Sequence, residues 1–407
     1  MKILIINAHS SKNKGDAGIL LSMIDSLKKN NPGCEIRIKS RFPEVDKNAY
    51  DIPVSACIHN VSVSPNISKL QKVRNAFKLV SMIRGPKNNK DDPDYLWADV
   101  VVSCGGGFLL SHGFSVALLQ HLAQIKAAID LGKPVIIYSQ SIGPFYNKFM
   151  QNVTRDILNK VTKIYIRETV SQSWLQKIGC NENLIEVVPD SAFCMMEEES
   201  KTINKLLAKI KSQHKGPLIG VTVRDWNFPE LKDKDEQRKS YVNSIRALIN
   251  FLTAKIDAKL IFMPQVLGPN PFNDDRIISR EILAGINPKQ AELLDLDLSP
   301  RELKYFYSKM DMFVGTRMHS NIFALSSNIP TVAINYEHKT RGIMNMLGLN
   351  EYVIEINTIK PDELMAVSDK CWKNKAEIKR HLESKIPQII SDAEIPSKII
   401  QSYLVIS

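Results

Sequence analysis

The stretch Phe313-Val314-Gly315-Thr316-Arg317-Met318-His319-Ser320-Asn321-Ile322-Phe323-Ala324-Leu325 reads as the end of a strand, a turn and the start of a helix. The strand is predicted at Met312 to Val314, with Gly315 and Thr316 as the turn and a helix running from His319 through Ile322, Phe323 and Leu325. Pro330 ends the link to a further strand, Thr331–Asn335. A strand-turn-helix edge is where open α/β sheets hold ligands. The helix start turns backbone N–H groups and a partial positive charge toward whatever sits there. Arg317 and His319 lie at this edge, and Lys339 follows the next strand, where adjacent parallel strand ends open on the same side. A guanidinium offers a fork, an ammonium a point charge and an imidazole a mobile proton. The ligand expected there is a small, multiply charged anion. His338 competes with Lys339 for the same role, and the phase of the sequence does not choose between them.

Outward from this edge, strands and helices alternate. In the first half, near-continuous apolar runs predict strands at Ile3–Ile6, Glu35–Lys39, Val100–Ser103, Val135–Tyr138, Lys163–Arg167 and Ile185–Val188. Helices are predicted at Gly18–Asn30, Ser115–Leu131, Phe149–Lys160 and Thr169–Ile178, with Gly132 and Gly179 as C-terminal stops. The pattern restarts after a boundary near 194–216, with strands at Leu218–Val223, Lys259–Met263, Leu293–Asp295, Met312–Val314 and Thr331–Asn335. Helices at Ser240–Ala254, Asp274–Leu283 and Arg301–Tyr307 fall between them. The expected class is α/β, as two doubly wound halves, residues 1–200 and 201–407, the second with C-terminal helices at Pro361–Ser384 and Pro396–Tyr403.

Composition excludes several classes. No run of eighteen apolar residues exists among the 407, so no membrane span is expected, and Met1 to Asn7 reads as a buried strand rather than a signal peptide. The six cysteines lack CxxC spacing, which suits a reduced, cytoplasmic chain, with Cys104 and Cys194 as small hydrophobes. A net charge of +11 favours anionic partners or reflects a lysine-rich surface. Nucleic acid is not expected, because the basic residues are not interleaved with aromatics. No metal is expected: His9, His112 and His319 are far apart and lack partners at ligand spacing, and Asp274-Asp275 reads as a helix cap.

Four further places carry candidates. Arg167 ends a first-half strand and either projects toward a ligand or pairs with Glu168. Arg224 ends the first strand of the second half by the same geometry. Gly105, Gly106 and Gly107 form either an anion-binding nest or a tight turn. Their spacing is neither a dinucleotide fingerprint nor a Walker loop. Asn13, Gly15 and Asp16 follow the first strand, and Asp16 either orients a hydroxyl or caps the next helix.

These motifs together resemble the polysaccharide pyruvyl transferase family. The resemblance rests on Asn13-Lys14-Gly15-Asp16, Cys104-Gly105-Gly106-Gly107, Gln140-Ser141-Ile142-Gly143-Pro144, Arg167-Glu168, Pro189-Asp190-Ser191-Ala192-Phe193 and Arg317-Met318-His319, in the family's order from residue 3 to about 348. Ala17 stands where the family commonly has an acidic residue. The resemblance implies two Rossmann-like domains facing each other across a cleft, an arrangement like glycosyltransferase B. It implies transfer of pyruvate from phosphoenolpyruvate to a sugar of a cell-surface polysaccharide, or of its lipid-linked precursor, as a cyclic ketal with no cofactor. Arg317 and His319 would then bind the donor with Arg167 as a clamp, and the resemblance favours Lys339 over His338. His319 would act as general acid or only as a phosphate ligand. The alternative of the same shape is a sugar-nucleotide-dependent glycosyltransferase.

Between Asp51 and Asp91 no acidic residue occurs, while Lys69, Lys72, Arg74, Lys78, Arg84, Lys87 and Lys90 do. Leu70, Val73, Phe77, Val80 and Ile83 fall at helical spacing, so a helix over 68–84 either lies on an anionic membrane or buries that face in the first domain. The first reading would place a cytoplasmic chain peripherally at the inner face of the cell membrane.

Overall fold

The apolar runs fold into two parallel sheets in a computed structural model that describes residues 1–58, 68–85, 92–268 and 273–404. The first sheet contains β1 (Lys2–Ala8), β2 (Glu35–Ser40), β3 (Val54–Ala56), β4 (Val100–Ser103), β5 (Gly106–Ser111), β6 (Val135–Phe145), β7 (Lys163–Ile166) and β8 (Ile185–Val187). Its order is β3-β2-β1-β4-β6-β7-β8, with β5 paired to β6. The second contains β9 (Leu218–Thr222), β10 (Lys259–Phe262), β11 (Ala291–Leu293), β12 (Met312–Gly315), β13 (Thr331–Asn335) and β14 (Val353–Glu355), in the order β11-β10-β9-β12-β13-β14. All registered pairs in both sheets are parallel. In each order the chain winds out one way, returns, and winds out the other, which is the Rossmann arrangement. The reversals, between β1 and β4 and between β9 and β12, are the switch points where such sheets hold ligands.

Every residue of β9, β12 and β13 is buried, because helices cover both sheet faces. Phe313 and Val314 have no exposed surface, and burying side chains of this size contributes roughly 1.5–3 kcal/mol each. Gly179 ends the helix Thr169–Ile178 in the left-handed conformation, φ 84°, and Gly132, at φ 70°, follows the C-cap of Val116–Asp130. Ser299 and Glu302 form a reciprocal capping box at the start of Pro300–Tyr307.

The first compact unit comprises Met1–Ser11, Ile19–Cys194 and Ile389–Ser407, and the second Lys12–Gly18 and Met195–Gln388. Two segments therefore fall outside a single cut near residue 200. The terminal segment joins the first unit because Asn31 Nδ2 donates to the Ser397 carbonyl at 2.9 Å, Lys29 pairs with Glu394 at 2.7 Å, and the Tyr165 and Tyr403 hydroxyls meet at 3.0 Å. Lys12–Gly18 joins the second: Lys14 N donates to the Gln265 carbonyl at 3.0 Å and Leu267 N to the Lys12 carbonyl at 3.1 Å. Lys12 and Lys14 both bind Asp297, at 2.6 and 2.5 Å. Burial alone would raise the Asp297 carboxyl, but these two ammonium groups hold it below the usual carboxylate range.

Three expectations change. The glycine run is not a loop before a helix: Gly106 and Gly107 begin strand β5. A Cβ on Gly105 would lie 2.9 Å from the Tyr138 carbonyl oxygen, so glycine is required there by close backbone packing. The short strands β3 and β14, three residues each, add to the strands expected from the sequence. The helix Lys69–Arg84 forms, but its apolar residues divide between two faces, with Leu79 and Ile83 in the first unit's core. Lys87 and Lys90 lie outside the described residues, as do the side chains of Lys69 and Lys72.

Candidate functional site

At the β9–β12 switch point, the turn after β12 is fixed from below. Asn321 Nδ2 donates to the Gly315 carbonyl at 3.2 Å, and a Cβ on Gly315 would fall 1.9 Å from Asn321 Oδ1, so only glycine fits. Thr316 N donates to the Thr222 carbonyl at 3.0 Å, and the Thr222 and Ser320 hydroxyls meet at 2.6 Å. Tyr241 links the two strand ends: its hydroxyl lies 2.9 Å from Thr316 Oγ1 and accepts from Arg224 N at 3.3 Å. Burial pushes this phenol up to about 12, so it stays protonated as a bridge.

Arg317 is the N-cap residue of the helix Met318–Ser326. Its Nη2 donates to Asp275 Oδ1 at 2.5 Å and its Nε reaches both carboxylate oxygens at 3.2 Å. Asp275, 2% exposed, also accepts from Val266 N at 2.9 Å and Gln265 N at 3.2 Å. Burial works against the Arg317 charge, but the Asp275 carboxylate more than compensates, so the pKa of Arg317 is raised. One edge of the guanidinium is thus fixed by a carboxylate. The Asp274-Asp275 pair is therefore only half a cap: Asp274 accepts from Arg276 N at 3.0 Å, while Asp275 holds Arg317.

His319 occupies the first turn of the same helix and packs over the turn at Asn13–Asp16. A Cβ on Gly15 would come within 2.5 Å of His319 Nδ1 and 2.8 Å of its Cγ, so glycine 15 is what lets the imidazole sit there. Asn13, not Asp16, caps the helix Lys14–Asn30: its Oδ1 accepts from Gly15 N at 3.0 Å. Its Nδ2 donates to Asp16 Oδ2 at 2.8 Å, which orients that carboxylate. Gly15→Ala should reduce activity strongly while costing about 1–3 kcal/mol of stability, since the added methyl forces the ring to move. Turnover and thermal unfolding measured on the same variant check this; parent-like turnover would show that this packing does not position His319.

Arg224 follows β9. Its guanidinium stacks on Tyr336 at 4.3 Å and on Trp226 at 4.8 Å from the ring centroids. Among the described residues no carboxylate lies within ion-pair distance of it. Trp226 Nε1 beside it is buried without a hydrogen-bond partner among the described residues. Lys339 lies in the first turn of the helix after β13, 16% exposed, with Nζ 3.8 Å from Glu337. The side chain of His338 lies outside the described residues.

The second unit thus holds Arg224, Arg317 and Lys339 past the ends of β9, β12 and β13, with His319 packed on the turn at Asn13–Asp16. Arg167 and Gly105–Gly107 belong to the first unit. Arg167 is not an open clamp there. Its side chain is 5% exposed, with Nη1 on Asp190 at 2.5 Å, Nε on Ser141 at 2.7 Å and Glu168 at 3.5 Å, so its charge is balanced internally. At the β1–β4 switch point His9 stacks on Phe108 at 3.7 Å, and burial together with the nearby Arg41 lowers its pKa to about 3. Sequence reading gave Asp275 only a capping role and missed Tyr241, Trp226 and Tyr336, which carry no local motif. Among the described residues no group of three histidine, cysteine or acidic side chains could hold a metal ion, and no helix is long and apolar enough to cross a membrane.

The family model described as polysaccharide pyruvyl transferase matches residues 13–338. The amylovoran biosynthesis protein AmsJ of Erwinia amylovora is 24% identical over 404 residues, covering 95% of this chain and 96% of its own. Among solved structures, UDP-GlcNAc 2-epimerase from Neisseria meningitidis bound to UDP-GlcNAc superposes with a TM-score of 0.61 at 15% identity, covering 100% of both chains. Anabaena Alr3699/HepE in complex with UDP gives 0.58 at 15%, again over 100% of both. At such identities the likeness is one of fold: two Rossmann-like domains of the glycosyltransferase-B-like class.

Proposed function

The chain belongs to the polysaccharide pyruvyl transferase family, and from that membership we propose that it moves pyruvate from phosphoenolpyruvate onto a sugar of a cell-surface polysaccharide or its lipid-linked precursor. The relative named for amylovoran biosynthesis supports exopolysaccharide as the product class. The observation that carries the donor assignment is the charge arrangement at the β9–β12 switch point. Arg224, past the end of β9, is stacked and lacks a carboxylate partner among the described residues, and past the end of the neighbouring strand β12 the His319 imidazole is held over Gly15. A planar, doubly charged donor suits a guanidinium fork, and Lys339 supplies a second positive charge.

In this mechanism Arg224 and Lys339 bind the donor carboxylate and phosphate, and the free edge of Arg317 adds to them. His319 gives its proton to the methylene carbon, which becomes the methyl group. The neighbouring carbon gains oxocarbenium character and a sugar hydroxyl oxygen bonds to it. Asp16, oriented by Asn13, holds that hydroxyl and takes its proton. Phosphate leaves with the C–O electron pair, and a second hydroxyl of the sugar closes on the same carbon, its proton passing to phosphate. The products are the cyclic ketal and inorganic phosphate. Arg167 is not part of this donor set, because its guanidinium is already held by Asp190, Ser141 and Glu168.

Arg224→Ala should weaken phosphoenolpyruvate binding on the order of ten- to a hundredfold, since a hydrogen bond to a charged group is worth about 1.5–3 kcal/mol. Calorimetric titration with phosphoenolpyruvate, and with UDP- and GDP-sugars as controls, checks it. Selective phosphoenolpyruvate binding that the variant loses supports the assignment. Sugar-nucleotide binding without a phosphoenolpyruvate signal would replace it with glycosyl transfer.

A further inference from the structure

The helix Lys69–Arg84 carries the three most exposed large apolar side chains among the described residues: Leu70 at 79%, Phe77 at 76% and Val73 at 66%. Their spacing, three and then four residues, aligns them into one ridge. The ridge is not the face that holds the helix on its unit. That task falls to Leu79 and Ile83, buried in the first unit's core, with Val80 and Met82 packed beside them. The helix is therefore anchored by one face while a second apolar face meets water.

Charge identifies what covers the second face. Arg74 and Lys78 are exposed and lie on one flank of the ridge, and exposed Arg84 continues its line. A groove of about 440 Å³ beside the ridge is lined by Leu70, Arg74, Asn75 and Lys78, together with Ser68 and Gln71. No acidic residue occurs between Asp51 and Asp91, and among the described residues no ion pair engages Arg74, Lys78 or Arg84. Apolar side chains flanked by cations match the boundary of a bilayer, where acyl chains lie beneath anionic phosphates.

We propose that the Leu70–Val73–Phe77 ridge docks the first unit on an anionic lipid surface, with the three apolar side chains below the headgroups and Arg74 and Lys78 on the lipid phosphates. A mobile layer of headgroups suits cations spread along a helix better than the fixed carboxylates of a protein groove would. The contact needs no donor or acceptor, so it stands or falls independently of pyruvyl transfer.

The test is flotation of the purified full chain with vesicles of phosphatidylcholine alone and of phosphatidylcholine with phosphatidylglycerol. Binding only to the anionic vesicles, weakening as salt rises, is expected. Arg74→Glu with Lys78→Glu should weaken it by at least roughly thirtyfold, given about a factor of five per basic residue near such a surface. Leu70→Ser with Val73→Ser and Phe77→Ser should abolish it. These positions are exposed, so unchanged thermal unfolding confirms that the variants are folded. Absence of binding to anionic vesicles overturns the proposal, as does parent-like binding by both variants. Concentration-dependent self-association that the ridge variant abolishes, without lipid binding, would instead make the ridge a contact between copies of the chain.

Discussion

His319→Ala is expected to lower pyruvyl transfer by about 10²–10⁴-fold while leaving phosphoenolpyruvate binding within a few-fold of the parent. A positioned general acid contributes that much to rate, whereas the proposed donor contacts are made mainly by Arg224, Lys339 and Arg317. The separation of the two effects matters. If His319 only bound the phosphate, its loss would weaken binding about as much as it slowed transfer. Phosphate release in the presence of acceptor, measured beside donor titration of the same variant, distinguishes these outcomes. Parent-like turnover would remove His319 from the chemistry. The substitution deletes a ring that packs over Gly15 without adding volume, so the turn at Asn13–Asp16 should remain in place.

Asp275→Asn is expected to destabilise the second unit by about 3–5 kcal/mol. Breaking a buried ion pair on one side leaves the other charge uncompensated, and Arg317, 15% exposed, has Asp275 as its carboxylate partner. The carboxylate also accepts from Val266 N and Gln265 N, so the substitution strips charge from three donors at once. Denaturant unfolding followed by tryptophan fluorescence, to which Trp226 and Trp372 of this unit contribute, checks this. Donor affinity should change as well, because an unpaired Arg317 is free to rotate. An unfolding midpoint equal to the parent's would show that the pair contributes little and that Arg317 finds another partner. The same comparison separates Asp275 from Asp274, whose role is local: Asp274→Asn keeps an acceptor for Arg276 N, and asparagine caps helices about as well as aspartate.

The second sheet was readable because β9, β12 and β13 are buried along their whole length and so appear as unbroken apolar runs. The turn-and-helix at Gly315–His319 followed from the same local pattern. What stayed hidden depends on contacts between distant residues. Nothing in Asn13-Lys14-Gly15-Asp16 announces that Lys14 binds Asp297 or that its backbone meets Gln265, yet those contacts bring Gly15 beneath His319. Asp274 and Asp275 look alike in sequence, and only the register of their helix against Arg317 separates cap from ion pair. Gly105 shows the converse: a glycine run reads equally well as an anion nest or as close backbone packing, and the nearness of the Tyr138 carbonyl supplies the packing reason. The basic helix misled in a further way. The spacing Leu70, Val73, Phe77, Val80, Ile83 suggested one apolar stripe, but Leu79 and Ile83 define the inward face.

The most direct test of the central claim is transfer of label. Purified protein is incubated with carbon-labelled phosphoenolpyruvate and the glycolipid and polysaccharide extract of source cells that lack it. Acid-labile label is then measured in the glycan fraction. Label that depends on the protein, appears with an equal amount of inorganic phosphate, and is absent with His319→Ala is the expected result. An unlabelled glycan fraction, alongside sugar incorporation from an added UDP-sugar, would contradict it.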